Sequence, residues 1–208
     1  DSLCAHNPFR PGRFARLFAN LPPLYVDPLI LHEIGKVGGK MEDKGAPNLT
    51  SKVPAGLIFF GQFIDHDITL DDSSSLTATN DPVGTENVRT PTLDLDCVYG
   101  DGPGPHPYLY DGGSKLLTGS DYANPSDPND LRKHDLPRTP KGTAIIGDPR
   151  NDENRIISQL QLGFLRFHNK LVDAVAAKPN APTGPQLFQE TRRIVTWHYQ
   201  WIVVNDFL

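Results

Sequence analysis

Apolar side chains recur at three- and four-residue steps at Ile157, Leu160, Phe164, Phe167, Leu171 and Val175. That period predicts a helix from Asn154 to about Lys178, with Pro179 and Pro182 ending it. A second apolar series, Phe188, Ile194, Val195, Trp197, Trp201, Ile202 and Val204, predicts a helix from about Gln186 to the end of the chain. Leu57 to Leu70 is a third apolar segment, and Pro54 suits the first turn of a helix running to about Asp67. Between these stretches the pattern is irregular. Residues 1–50 read as an extended, Pro-rich arm with little regular structure, and 71–89 as a polar loop. Thr90 to Tyr99 alternates as an extended segment would. Residues 100–143 form a Gly/Pro/Asp-rich excursion, of a length that is usually functional or wrapped over a surface. The expected fold class is mainly α, with long irregular loops and little β.

Three stretches carry candidate chemistry. Gly61-Gln62-Phe63-Ile64-Asp65-His66-Asp67 sets an amide, two carboxylates and an imidazole in apolar surroundings, where unpaired charge is costly. On a helix Gln62, Asp65 and His66 share a face, while Asp67 points about 100° away from His66. A lone histidine on such a helix is usually a packed core residue; Gln62 and Asp65 beside it weigh against that. In extended backbone Thr90, Thr92, Asp94 and Asp96 point to one side, and oxygen-only ligands suit a hard cation such as Ca²⁺. Asp67 would be a third carboxylate; the bland reading is an exposed strand with solvated aspartates. Gly147-Asp148-Pro149-Arg150-Asn151-Asp152-Glu153-Asn154-Arg155 precedes the long helix, and by itself reads as a capping segment with surface charges.

Composition narrows the classes. The net charge of −5 over 208 residues lacks the basic footprint of a nucleic-acid binder. No run approaches the ~18 apolar residues of a transmembrane segment. Twenty prolines and 18 glycines agree with long irregular connections. Met41 is the only methionine and the final helical pattern runs on to Leu208 uncapped, so a piece of a longer protein is expected. Cys4 and Cys97 allow one disulfide or two free thiols, and Asn48-Leu49-Thr50 is a lone glycosylation sequon.

Taken in order, the three stretches resemble the animal-type haem peroxidases, in wording closest to bacterial members. Gly61 to Asp67 resembles the distal-histidine helix, and Leu93-Asp94-Leu95-Asp96-Cys97-Val98-Tyr99-Gly100 the calcium loop. Gly147-Asp148-Pro149-Arg150 with Glu153 resembles the distal-arginine segment, and Phe164 to Leu171 the helix after it. The resemblance covers about residues 50–208 and implies a haem peroxidase-type helical fold. It makes 1–50 an N-terminal arm and 51–208 the distal-haem portion of a peroxidase domain. It implies His66 as acid/base toward H₂O₂, Arg150 as the group stabilising charge on the leaving oxygen, and Gln62 as holder of a distal water or halide. Asp65 and Glu153 match positions that ester-link haem b, and Asp67, Thr90, Thr92, Asp94 and Asp96 match the Ca²⁺ site. Asn154 stands where some members carry a haem-bonded methionine, so that link is absent. Asp96 replaces a more usual Ser or Thr and makes the cation site more anionic. The proximal histidine is expected on a second chain or C-terminal segment, since His168 reads as structural, His198 as a packed core residue, and His6, His32, His106 and His134 as solvated. The implied reaction reduces H₂O₂ and oxidises a halide, thiocyanate or small organic donor. The alternatives are a haem fatty-acid dioxygenase of the same superfamily and a non-enzymatic, calcium-stabilised fragment.

Overall fold

The computed structural model describes residues 12–14, 18, 20–22, 24–42, 52–72, 74–75 and 85–208. Cys4, His6 and the Asn48 sequon lie outside them. The fold is mainly α. The first helix, α1 (Pro28–Gly35), stands in the stretch expected to be irregular, and its start is local chemistry. Pro28 takes a first-turn position, where no N–H is needed, and the Asp27 carboxylate accepts from the Leu29 N–H at 2.8 Å. No residue of α1 is buried, so it adds nothing to the core. A short strand β1 (Gly12–Arg13) pairs antiparallel with β2 (Glu86–Asn87), within the stretch expected to be a loop.

Helix α2 (Ala55–Ile68) begins after Pro54 and ends at Thr69, whose hydroxyl donates to the Asp65 carbonyl at 2.8 Å. Its buried apolar face is Phe60, Phe63 and Ile64. Phe63 stacks on Phe164 with ring centroids 4.9 Å apart, and Tyr199 stands edge-on to both. These rings come from α2, α4 (Arg155–Ala176) and α5 (Gly184–Ile202), and the core lies where the three helices meet. Burying each such side chain contributes roughly 1.5–3 kcal/mol.

Asn154 caps α4, its side-chain oxygen accepting from the Ile156 and Ile157 N–H groups at 3.1 and 3.0 Å. The buried stripe of α4 is wider than the apolar period suggested. Ile157, Leu162, Leu165, Val172 and Val175 are buried together with Ser158, Gln161 and His168, while Leu160, Phe164, Phe167 and Leu171 are only partly covered. The 100–143 excursion accounts for part of this by wrapping over α4. His168 Nε2 donates to the Ser114 carbonyl at 2.8 Å, and Asn169 brackets Leu116, accepting from its N–H at 2.8 Å and donating to its carbonyl at 2.7 Å. His168 Nδ1 accepts from the Tyr99 hydroxyl at 3.0 Å, and burial pushes its pKa down to about 4. Both ring nitrogens are thus used in holding the fold.

Two expectations are corrected. His198 is exposed, not a core residue: its Nδ1 donates to the Ile194 carbonyl at 2.8 Å, and the neighbouring Trp197 and Trp201 are 57% and 60% exposed. Residues 90–99 are not an extended segment. The chain bends through 90–94, Leu95 takes the left-handed conformation at φ 60°, and Asp96–Tyr99 forms a short helix, α3. Leu95, Cys97, Val98 and Tyr99 are all buried. A strand would have turned alternate side chains outward, so one helical turn after a left-handed residue is how this run enters the core. Among the described residues no helix is long and apolar enough to cross a membrane.

Candidate functional site

The polar residues of α2 part company in three dimensions. His66 and Asp67 are buried, Gln62 is half-buried and Asp65 is exposed. His66 meets Asn151, its Nδ1 lying 2.8 Å from the Asn151 side-chain oxygen, and the Asn151 amide donates to Gln161 Oε1 at 2.9 Å. Asn151 is fully buried on the 3₁₀ turn Pro149–Asp152, which the Asp148 carboxylate starts by accepting from the Arg150 N–H at 2.9 Å. The segment read from sequence as a surface cap is therefore partly core.

Arg150 belongs to the same turn. Its Nη2 donates to the His66 carbonyl at 3.2 Å and to the Thr69 carbonyl, so the guanidinium closes the C-terminal end of α2. It also forks onto Asp148, Nε to Oδ1 at 3.1 Å and Nη2 to Oδ2 at 2.8 Å. Asp148 is fully buried and shared with Arg89, whose Nη2 reaches Oδ2 at 2.6 Å and the Gly147 carbonyl at 3.0 Å. Burial alone would raise the Asp148 pKa; hydrogen bonds from Arg150 and the charge and hydrogen bonds of Arg89 hold it below the usual carboxylate range. Burial pulls Arg89 the other way, but Asp96 and Asp148 keep its pKa above the ordinary arginine value. One buried anion thus holds two cations, and Arg89 extends the network to Asp96 at 3.7 Å.

Asp67, Asp94 and Asp96 converge, with one oxygen from each lying within 4.8 Å of the others. These atoms are buried, yet neither Asp67 oxygen has a partner in hydrogen-bond geometry, although the Leu95 N–H and Cys97 thiol lie near, and Asp96 Oδ1 has only the Arg89 guanidinium at 3.7 Å. Burial first, then repulsion from Asp96 and Asp94, lifts the Asp67 pKa to about 7, with the Leu95 backbone and Cys97 thiol offsetting a part. Asp96 is lifted to about 6, again chiefly by burial, against the pull of Arg89; burial raises Asp94 too. Orphaned buried carboxylates are what a hard cation satisfies. Carboxylate oxygens no farther apart than this are close enough to share one such ion. The Thr90 N–H donates to Asp96 Oδ2 at 3.1 Å, and the Asp94 N–H donates to the Thr92 carbonyl at 3.0 Å, so both threonines border the cluster. Cys97 lies behind it as a free, buried thiol, pushed well above the ordinary thiol range by burial and by Asp67 and Asp96. On α5, burial and the Asp67 charge raise the Tyr199 pKa, and its buried hydroxyl has no partner. Gly147 fits the arginine turn against this loop: a Cβ there would lie 2.5 Å from the Cys97 carbonyl oxygen.

Gln62 donates to Glu153 Oε2 at 3.1 Å, and Asp65 accepts from the Thr69 hydroxyl at 3.2 Å. Both carboxylates are exposed, and Ile58, one helical turn before Gln62, is 66% exposed. This outer face of α2, apolar at one end and edged by Asp65 and Glu153, fits one side of a planar apolar cofactor with polar rim groups. Periodicity and motif matching found His66, Arg150 and the three aspartates but missed Arg89, Asp148, Asn151, Gln161 and Tyr199. Only Asp148 carried a local signal, as the residue that starts the turn bearing Arg150.

Residues 73–208, that is 136 of the 208, match the family model described as animal haem peroxidase. The fold resembles the crystal structure of a fatty acid α-dioxygenase from Arabidopsis thaliana, with a TM-score of 0.56 and 21% sequence identity, over 73% of this chain and 27% of that one. The chain therefore spans about a quarter of that protein's length. The family match begins after α2. His66 and Asp67 connect to it through space, by the Asn151 hydrogen bond and the meeting with Asp94 and Asp96.

Proposed function

Because the chain belongs to the animal haem peroxidase family, we propose that it is the distal-haem portion of a peroxidase that reduces H₂O₂ and oxidises a halide, thiocyanate or small organic donor. One observation carries this reading. Buried His66 is bonded at 2.8 Å to the residue that follows Arg150, and Arg150 itself reaches the His66 carbonyl at 3.2 Å. A proton acceptor and a fixed guanidinium therefore stand on adjoining backbone, the pairing that moving a proton across a peroxide O–O bond calls for.

Haem, when bound, supplies the iron at which peroxide is reduced and the donor oxidised. The outer face of α2 would hold it, with Gln62 ordering a water or halide through its amide. His66 would take the proton from the near oxygen of H₂O₂ and return it to the departing one. Arg150 keeps Nη1 as a donor toward the charge that develops there. Asp65 and Glu153 would be the ester-forming carboxylates. Asp67, Asp94 and Asp96, with Thr90 and Thr92, would hold Ca²⁺, and because Asp67 follows His66 the ion would also steady the imidazole. The axial iron ligand is assigned to a further segment or a second chain; both ring nitrogens of His168 are engaged within the fold.

The test is an absorption spectrum with added haemin, before and after H₂O₂. A Soret band that responds to peroxide in the wild type and fails to respond in His66→Ala supports the reading. A band silent to peroxide, with O₂ uptake when a fatty acid is added, gives the dioxygenase instead. Absence of any band, alone or with the complementing segment, leaves a calcium-stabilised fragment. For the ester links, Asp65→Val with Glu153→Ala should let haem extract into acidified organic solvent; equally free extraction from the wild type refutes them.

A further inference from the structure

The contact between His66 and Asn151 determines more than where the ring sits. Asn151 hydrogen-bonds at both ends of its side-chain amide. Its NH₂ is committed to Gln161 Oε1 at 2.9 Å, so its oxygen is the end presented to His66 Nδ1 at 2.8 Å. An oxygen can only accept, so Nδ1 must carry the ring proton. The neutral imidazole then has its lone pair on Nε2, which no described residue bonds. Had Asn151 presented its NH₂ instead, the proton would sit on Nε2 and that nitrogen could not act as a base. Gln161, fully buried on the second turn of α4, opposes that turning over by presenting Oε1 to the Asn151 NH₂, while its own Nε2 has no hydrogen-bond partner among the described residues.

We infer that Asn151 and Gln161 are positioning residues: Gln161 sets the direction of the Asn151 amide, and Asn151 holds His66 as the Nδ1–H tautomer with Nε2 as the proton acceptor. The tautomer stands on the contacts alone; its use in proton transfer rests on the peroxidase reading. The arrangement gives the turn after Asp148 two jobs from adjacent residues, Arg150 as the charge and Asn151 as the orienter of the base. Substitution can separate amide direction from packing. Asp at 151 keeps an acceptor toward His66, and Glu at 161 keeps an acceptor toward Asn151, whereas Leu at either position fills the space and removes the bond.

The experiment is long-range ¹H–¹⁵N correlation on haem-free protein labelled at histidine nitrogen, at about pH 8.5, where a histidine ring is ordinarily neutral. Wild type, N151D and Q161E should show His66 as Nδ1–H. N151L should show a mixture or Nε2–H, and Q161L a smaller shift the same way. In haem-loaded protein the peroxide-reduction rate should fall about tenfold or more in N151L and stay near wild type in N151D, within the range that acid–base groups contribute. An Nε2–H ring in the wild type, or an Nδ1–H ring unchanged in N151L, overturns the inference. Should N151L fail to fold, Q161L against Q161E decides the same point. Tautomers that shift as expected in a protein with no peroxide activity would sink the peroxidase reading and leave this one standing.

Discussion

The aspartate cluster makes metal-free protein depend on pH in an unusual direction. Asp67 has a pKa of about 7 in the fold against an ordinary 3.8. Folding therefore favours its protonated form. The associated stability is full below about pH 4 and is lost as pH rises toward 7, by roughly 4 kcal/mol for a rise of that size. Asp96, lifted to about 6, acts in the same sense; because the two repel each other their contributions overlap and do not add. His168 works against them. Its pKa falls from 6.5 to about 4, so the unfolded chain takes up that proton first, and stability grows by roughly 3 kcal/mol as pH rises through the same window. The two trends nearly cancel in the wild type, and the informative quantity is a difference. In chelator, Asp67→Asn should match wild type near pH 4 and become more stable by a few kcal/mol at about pH 7.5. Ca²⁺ should reverse the wild-type disadvantage, since it holds the carboxylates ionised and makes acid the destabilising direction. Urea unfolding followed by circular dichroism, with and without Ca²⁺ across this range, reads both curves. If Asp67→Asn is less stable than wild type at about pH 7.5 in chelator, or if Ca²⁺ leaves the wild-type curve unmoved, the orphaned-carboxylate argument is wrong.

Other substitutions probe the neighbouring parts. His66→Ala in the haem-loaded protein should cut the rate of peroxide reduction by roughly 10²–10⁴, measured by stopped-flow, with haem retained; a near-normal rate would remove His66 from the acid–base role. Asp148→Ala should cost about 3–5 kcal/mol in urea unfolding, because Arg89 and Arg150 lose their shared buried carboxylate. Gly147→Ala should cost about 1–3 kcal/mol and weaken Ca²⁺ binding, since the new Cβ would push against the Cys97 carbonyl; an unchanged calorimetric affinity would show that the two loops move independently.

The helices and their chemistry were readable along the chain because they rest on short-range rules. Periodic apolar residues and Asn154 announce α4, and Pro54 announces α2. His66 and Asp67 were visible as polar groups set in apolar surroundings, whereas Arg150 was marked only by the family resemblance. The short helix α1 is legible in Asp27-Pro28, a cap and a first-turn proline, even though the arm around it is proline-rich and without an apolar period. Other features exist only once the chain has packed. Asn151 looks like one more polar residue until α4 brings Gln161 to one end of its amide and α2 brings His66 to the other, 85 residues away in sequence. Arg89 finds Asp148 across 59 residues, and α5 sets Tyr199 beside Asp67. The aspartates of the 90–96 segment do converge, but through a left-handed Leu95 and not through strand alternation, because four neighbouring side chains had to be buried together. Trp197 and Trp201 show the converse, apolar yet left outside the core, with His198 exposed between them. Composition and period determine which segments coil and what chemistry they carry. Which polar group meets which is decided by long-range packing, where unpaired buried donors and acceptors cost more than any local preference can return.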